Sequence, residues 1–160
     1  MTAADVGTLR VERTVQASPE AVFDAWTNPE VLRRWWATER SWATPVAEVD
    51  LREGGGYTLT MKPPAADPHT VRGTYRVIER PRRLVYTWAW EEADGRLGPE
   101  STVTVEFIPD GARTRVVLVH EGLLSAESAG GHEHGWGGVL TSLQRLFNDN
   151  HDNEMEDSDG

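Results

Sequence analysis

The stretch Leu9–Trp36, LRVERTVQASPEAVFDAWTNPEVLRRWW, decides how the chain is built. Apolar Leu9, Val11 and Val15 alternate with polar Arg10 and Glu12, the period of a half-buried strand, and this predicts a strand over Thr8–Ala17. Ser18-Pro19-Glu20 then ends the strand and starts a helix, because a serine oxygen can accept an orphan N–H of the first turn and proline lacks an N–H to satisfy there. Val22, Phe23 and Trp26 share one face of that helix, Pro19–Thr27. Asn28-Pro29 repeats the start signal at once, and Val31, Leu32, Trp35 and Trp36 make the apolar face of a second short helix.

Downstream of this opening, from Ala43 to Glu121, the pattern is one of strands punctuated by turn residues. Val49 and Leu51 alternate before Gly54-Gly55-Gly56, and Tyr57, Leu59 and Met61 alternate after it, which predicts a hairpin turned by the glycines. Pro63-Pro64 to Pro68 is a loop, after which Val71, Gly73, Tyr75 and Val77 share one face of a fourth strand. Leu84, Tyr86, Trp88 and Trp90 do the same in a fifth, Val103, Val105 and Phe107 in a sixth, and Val116, Leu118 and His120 in a seventh. Turns at Ala93-Asp94-Gly95 and Pro109-Asp110-Gly111 separate them, so the strands follow one another as an antiparallel meander. The last element is helical: Trp136, Val139, Leu140, Leu143, Leu146 and Phe147 recur at i, i+3, i+4, i+7 spacing. The glycines between Gly130 and Gly138 leave its beginning open, since each costs roughly 1 kcal/mol relative to alanine inside a helix.

The fold class is therefore α+β, one domain over residues 8–147, with a flexible N-terminus over 1–7 and a disordered acidic tail over 148–160. That tail carries six Asp and Glu with no Lys or Arg and has little to bury. The 160 residues contain no cysteine, which excludes a disulfide scaffold, Cys-ligated zinc and a thiol nucleophile. A net charge of −10 repels phosphate backbones, and the arginines are scattered, so a nucleic-acid partner is not expected. No apolar run has the length of a membrane span, and MTAADVGTLRVER lacks the apolar stretch of a signal peptide, so the expected location is cytoplasmic, away from membranes.

The order strand, two short helices, six strands and long terminal helix resembles the helix-grip architecture of the START-like (SRPBCC) superfamily. ASPEAVFDAWTNPEVLRRWW, VDLREGGGYTLTM, GTYRVIERPRRLVYTWAW, TRVVLVHEGL and GHEHGWGGVLTSLQRL together resemble its branch of heat-shock-protein-90 ATPase activator homologues (Aha-type), over roughly Leu9–Phe147. The resemblance implies a curved antiparallel sheet wrapped around the C-terminal helix, with a cavity between them that many members of the superfamily use for apolar ligands. Ligand carriers, sensors and aromatic polyketide cyclases share the fold, so fold does not name function. In the eukaryotic co-chaperone the module is joined to a separate N-terminal domain, and no such domain is expected here.

Seven Trp and three Tyr are the strongest chemical signal, because amphipathic rings can wall a pocket while an N–H or O–H orients its contents. On the strand faces assigned above, Tyr57, Met61, Tyr75, Trp88 and Trp90 face the space beneath the helix, Trp136 faces it from the helix, and Gly137 and Gly138 leave room beside Trp136. Trp36 is placed near the mouth together with Trp35, His120 is the polar contact, and Trp26 belongs to the core. The same rings could instead simply fill volume. His120, at the end of an apolar strand face, reads either as a satisfied buried imidazole or as a pocket group with acid–base capacity. His132 and His134, two positions apart, fall on opposite sides of a helix and read as an exposed pair, so no metal site and no cofactor are expected. No G-x-S-x-G elbow or triad signature is present, and no catalytic residue is assigned. The expected activity is binding of a hydrophobic, aromatic or lipid-like small molecule. The alternatives are a cyclase- or hydrolase-type enzyme using the same cavity and a co-chaperone-like interaction module, with a protein partner or homodimer through an edge strand or exposed Trp.

Overall fold

The computed structural model describes residues 7–37, 41–123 and 125–159. Strand β1 (Leu9–Val15) leads into α1 (Pro19–Thr27) and α2 (Pro29–Trp35). Six strands follow, β2 (Ala43–Val49), β3 (Gly56–Lys62), β4 (His69–Glu79), β5 (Arg83–Trp90), β6 (Ser101–Asp110) and β7 (Arg113–Glu121), and then helix α3 (Ala126–Asp159). The strands form one antiparallel sheet in the order β1-β7-β6-β5-β4-β3-β2. The first strand thus pairs with the last, Leu9 opposite His120 and Val15 opposite Thr114. Since β1 and β2 lie at opposite edges, α1 and α2 carry the chain across the sheet from one edge to the other.

The capping chemistry acts as the sequence predicts. Ser18 Oγ accepts from the Ala21 N–H at 3.3 Å, and Asn28 closes α1 through its own N–H to the Asp24 carbonyl at 2.8 Å while its side chain accepts from the Glu30 N–H at 3.0 Å. The glycine hairpin is also found, with Gly54 at φ 86°, a conformation that a side chain disfavours. Leu51, however, is exposed in that turn rather than facing inward from β2, because the strand ends at Val49.

Phe23, Leu84, Phe107, Leu118, Leu140 and Leu143 bury completely between sheet and helices. Trp26 belongs to this core as expected and donates its indole N–H to Tyr86 Oη at 3.3 Å. Helix α3 begins at Ala126 and runs through all of the early glycines. Burial of Trp136, Val139, Leu140 and Leu143 outweighs their poor propensity, and Ser142 Oγ and Gln144 Nε2 tie the helix to the carbonyls of Trp35 and Thr14. The backbone continues as helix to Asp159, across the segment expected to be disordered; no glycine or proline occurs from Val139 to Asp159 to stop it. Among the described residues no helix is long and apolar enough to cross a membrane.

Candidate functional site

Alternation along β5 turns Trp88 and Trp90 toward α3, and β3 contributes Met61 from the same side of the sheet. Opposite them, Trp136 and Val139 descend from α3, and Trp36 enters just past the end of α2. These side chains enclose a cavity of about 490 Å³. Its deep wall is a set of interlocked indoles, with Trp88 and Trp136 centroids 4.8 Å apart, Trp36 and Trp136 5.4 Å apart, and Trp88 and Trp90 5.3 Å apart. The rim is more polar: Trp42 stacks on His69 at 6.2 Å, and His132, His134 and Ser128 come from the first turns of α3. Among the described residues no Lys, Arg, Asp or Glu borders the cavity.

Two imidazoles organise this wall with opposite tautomers. Trp136 donates its indole N–H to His120 Nδ1 at 3.0 Å, so the His120 proton is on Nε2, which donates to Ser101 Oγ at 2.6 Å. Ser101 in turn donates to the Trp88 carbonyl at 3.3 Å. Burial, helped by the neighbouring His132 ring, pushes the His120 pKa down from its usual 6.5 to about 3, and the neutral form is the one that satisfies all three bonds. In His132 the roles reverse: Trp90 donates to Nε2 at 3.0 Å and Nδ1 donates to the Ser128 carbonyl at 2.8 Å. The two rings lie 5.0 Å apart with their nitrogens engaged, and among the described residues no group of three potential ligands is placed to hold a metal.

The structure brings five of the expected residues, Trp36, Met61, Trp88, Trp90 and Trp136, onto the cavity. His120 lies behind the wall, wholly buried, and holds Trp136 in place instead of facing a ligand. Tyr57 and Tyr75 point to the same side of the sheet but pack elsewhere, with Tyr86 and Trp26 beneath α2, around a void of only about 10 Å³. Tyr57 is four residues from Met61, roughly 13 Å along the strand, which carries it out of the cavity without changing face. Burial raises the pKa of Tyr57, Tyr75 and Tyr86, so all three stay protonated.

Three other expectations are corrected. Trp36 is at the floor and not the mouth, while Trp35 is in the core, donating to the Ala25 carbonyl at 2.9 Å. The glycines that open the cavity are Gly131 and Gly135, whereas Gly137 and Gly138 border a polar groove against β1, with Arg13 beside Gly137. His132 is half-buried and bonded, not one of an exposed pair. Its signal was present in the sequence, because Ser128, His132, Gly135, Trp136 and Val139 extend the apolar stripe of α3 backward by two turns. Trp42 and His69 carried no such signal, since each lies at or beyond a strand end where periodicity stops.

Two indole N–H groups, those of Trp36 and Trp88, are buried with no acceptor among the described residues. A buried unpaired donor costs about 1–3 kcal/mol, so both carry unused hydrogen-bonding capacity in residues that line the cavity.

Residues 16–148 match the sequence profile of the family described as Activator of Hsp90 ATPase homolog 1-like protein. Among solved structures, the AHSA1 protein from Silicibacter pomeroyi is similar at 28% identity with a TM-score of 0.79, over 87% of this chain and 96% of that one. The AHSA1-like protein from Aeromonas hydrophila shares 26% identity at a TM-score of 0.72, covering 86% of this chain and 90% of that one. A protein from Chromobacterium violaceum shares 25% identity at a TM-score of 0.78, covering 88% and 97% respectively. No curated protein matches.

Proposed function

The chain belongs to the Activator of Hsp90 ATPase homolog 1-like family, of START/SRPBCC type with the helix-grip fold, and from that premise we propose that it binds a hydrophobic small molecule between sheet and α3. The fold is consistent with ligand-binding and with co-chaperone-like roles, and the cavity favours the first. Its 490 Å³ is within the range of about 300–1,000 Å³ typical of ligand pockets. The same chain packs its tyrosine cluster almost without void, so the open space beside Trp88 and Trp136 is not how this sequence treats aromatic surface in general. Exposed large apolar side chains among the described residues are Leu51 and Leu97, in separate connections between strands, which gives a partner-docking or homodimer reading less support. Acid–base catalysis by His120 loses its geometric basis, because both ring nitrogens are bonded and the ring is outside the cavity. A cytoplasmic setting, with no nucleic acid or membrane as partner, belongs to the same reading.

Native mass spectrometry of the purified protein tests it. The expected result is a defined non-covalent adduct that disappears on denaturation, or one gained on exposure to an extract of lipids and aromatic metabolites. A clean apo mass in both conditions would remove the reading. Gly131 supplies a localised check, because it borders the cavity and a Cβ built on it meets nothing within 4 Å. Gly131→Leu is expected to weaken binding of a hydrophobic fluorescent probe by about tenfold. Thermal stability should hold or rise by up to about 3 °C, as leucine is the better helix former. Unchanged probe affinity would place the binding surface elsewhere.

A further inference from the structure

Indole pairing is the rule in this core. Trp26 donates to Tyr86 Oη, Trp35 to the Ala25 carbonyl, Trp90 to His132 and Trp136 to His120. The two buried exceptions, Trp36 and Trp88, both wall the cavity, with ring centroids 6.3 Å apart. Contact with a neighbouring ring face is at best a weak substitute for an oxygen acceptor. Among the described residues the cavity wall has no Lys, Arg, Asp or Glu to offset a ligand charge, its titratable groups being the imidazoles of His69, His132 and His134, and the chain as a whole is at −10. A charged group seated against the indoles, away from those imidazoles, would be desolvated without a partner.

We propose that the ligand is a neutral, largely aromatic molecule bearing a carbonyl-type oxygen, and that the indole N–H of Trp36, Trp88 or both donates to that oxygen. The proposal rests on the reading that the cavity binds a small molecule and adds its chemical class. The apolar body of the ligand lies against Trp90, Trp136 and Val139, and the oxygen sets its orientation. Both nitrogens are shielded from water, so donation to that oxygen requires the indoles to turn toward the cavity.

The test compares fluoren-9-one with fluorene, near-identical in shape, on uniformly 15N-labelled protein. Partition from water by itself favours fluorene. The expected result is the reverse, with fluorenone bound at least tenfold more tightly and the indole N–H signals of Trp36, Trp88 or both moving downfield with fluorenone and not with fluorene. Fluorene-9-carboxylate is expected to bind at least tenfold more weakly than fluorenone. The proposal is overturned if fluorene binds as tightly as the ketone, if the ketone is preferred but neither indole signal moves, or if the carboxylate binds best. Those outcomes leave small-molecule binding standing; failure of all three probes to bind would remove that reading and this one with it. Trp88→Phe and Trp36→Phe, which retain a ring, should each bring the ketone preference toward one where circular dichroism shows the fold intact. The wild-type spectra decide the matter without them.

Discussion

Gly73→Val is expected to lower the thermal unfolding midpoint by about 10 °C, corresponding to a loss of roughly 4 kcal/mol. The cause is a crossing of side chain over backbone that only glycine permits. Tyr57 reaches from β3 across Gly73 of β4 and donates its hydroxyl to the Thr87 carbonyl of β5 at 2.5 Å. A Cβ at Gly73 would overlap that carbonyl oxygen and come to 2.5 Å from Tyr57 Cε1. The first obstacle is backbone and cannot rotate away. The ladder is already open here, with no paired residues between Arg72↔Ala89 and Tyr75↔Tyr86, and Thr87 compensates by accepting the Thr74 N–H on its own hydroxyl at 2.8 Å. Tyr57→Phe should cost less, about 1–3 kcal/mol, by leaving the Thr87 carbonyl without its hydrogen bond. Urea or thermal unfolding followed by circular dichroism measures both. If Gly73→Val costs no more than Tyr57→Phe, the crossing is not what constrains this position.

Acidification should destabilise the fold well above the pH at which carboxylates titrate, through His120. Its ring is wholly buried and its pKa is pushed down to about 3, against about 6.5 when unfolded. Between those values the unfolded chain binds a proton that the folded one refuses, so stability is full above pH 6.5 and falls as pH drops toward 3. From pH 7 to pH 4.5 the loss is expected to be about 3 kcal/mol, at 1.4 kcal/mol per unit. His120→Gln, which keeps a donor and an acceptor but does not titrate, should be less stable at pH 7 and show a shallower slope over the same interval. Equal slopes in the two proteins would assign the acid sensitivity to other groups. Protonation would place a donor on Nδ1 facing the Trp136 N–H, so acid should also loosen the cavity wall.

These two sites differ in how far they could be read beforehand. The strand carrying Gly73 was legible from the alternation Val71, Tyr75, Val77, yet nothing in that alternation says that Tyr57 crosses it. His120 was legible as the last inward residue of β7, with buried imidazole and pocket group both open; the choice came from Trp136 and Ser101, which approach it from another helix and another strand. In the cavity, the indoles of β5 and α3 followed from period alone, as did the face of Met61. The same period reaches back to His132, but the glycines around it argued against a helix there and its partner Trp90 is distant in sequence.

The sequence by itself determined the order of elements, their faces, the Ser18 and Asn28 caps, the glycine hairpin and the aromatic wealth of the core. Each depends on local backbone chemistry or on a period of two or 3.6, which neighbouring residues express on their own. Tertiary structure alone decided that Tyr57 and Tyr75 fill a packed cluster while Trp88 and Trp90 face open space, and that the indoles of Trp36 and Trp88 find no acceptor among the described residues. Periodicity assigns a side chain to a face but not to a height along the strand, and a hydrogen bond needs a partner that only the packing of sheet against helix brings within reach.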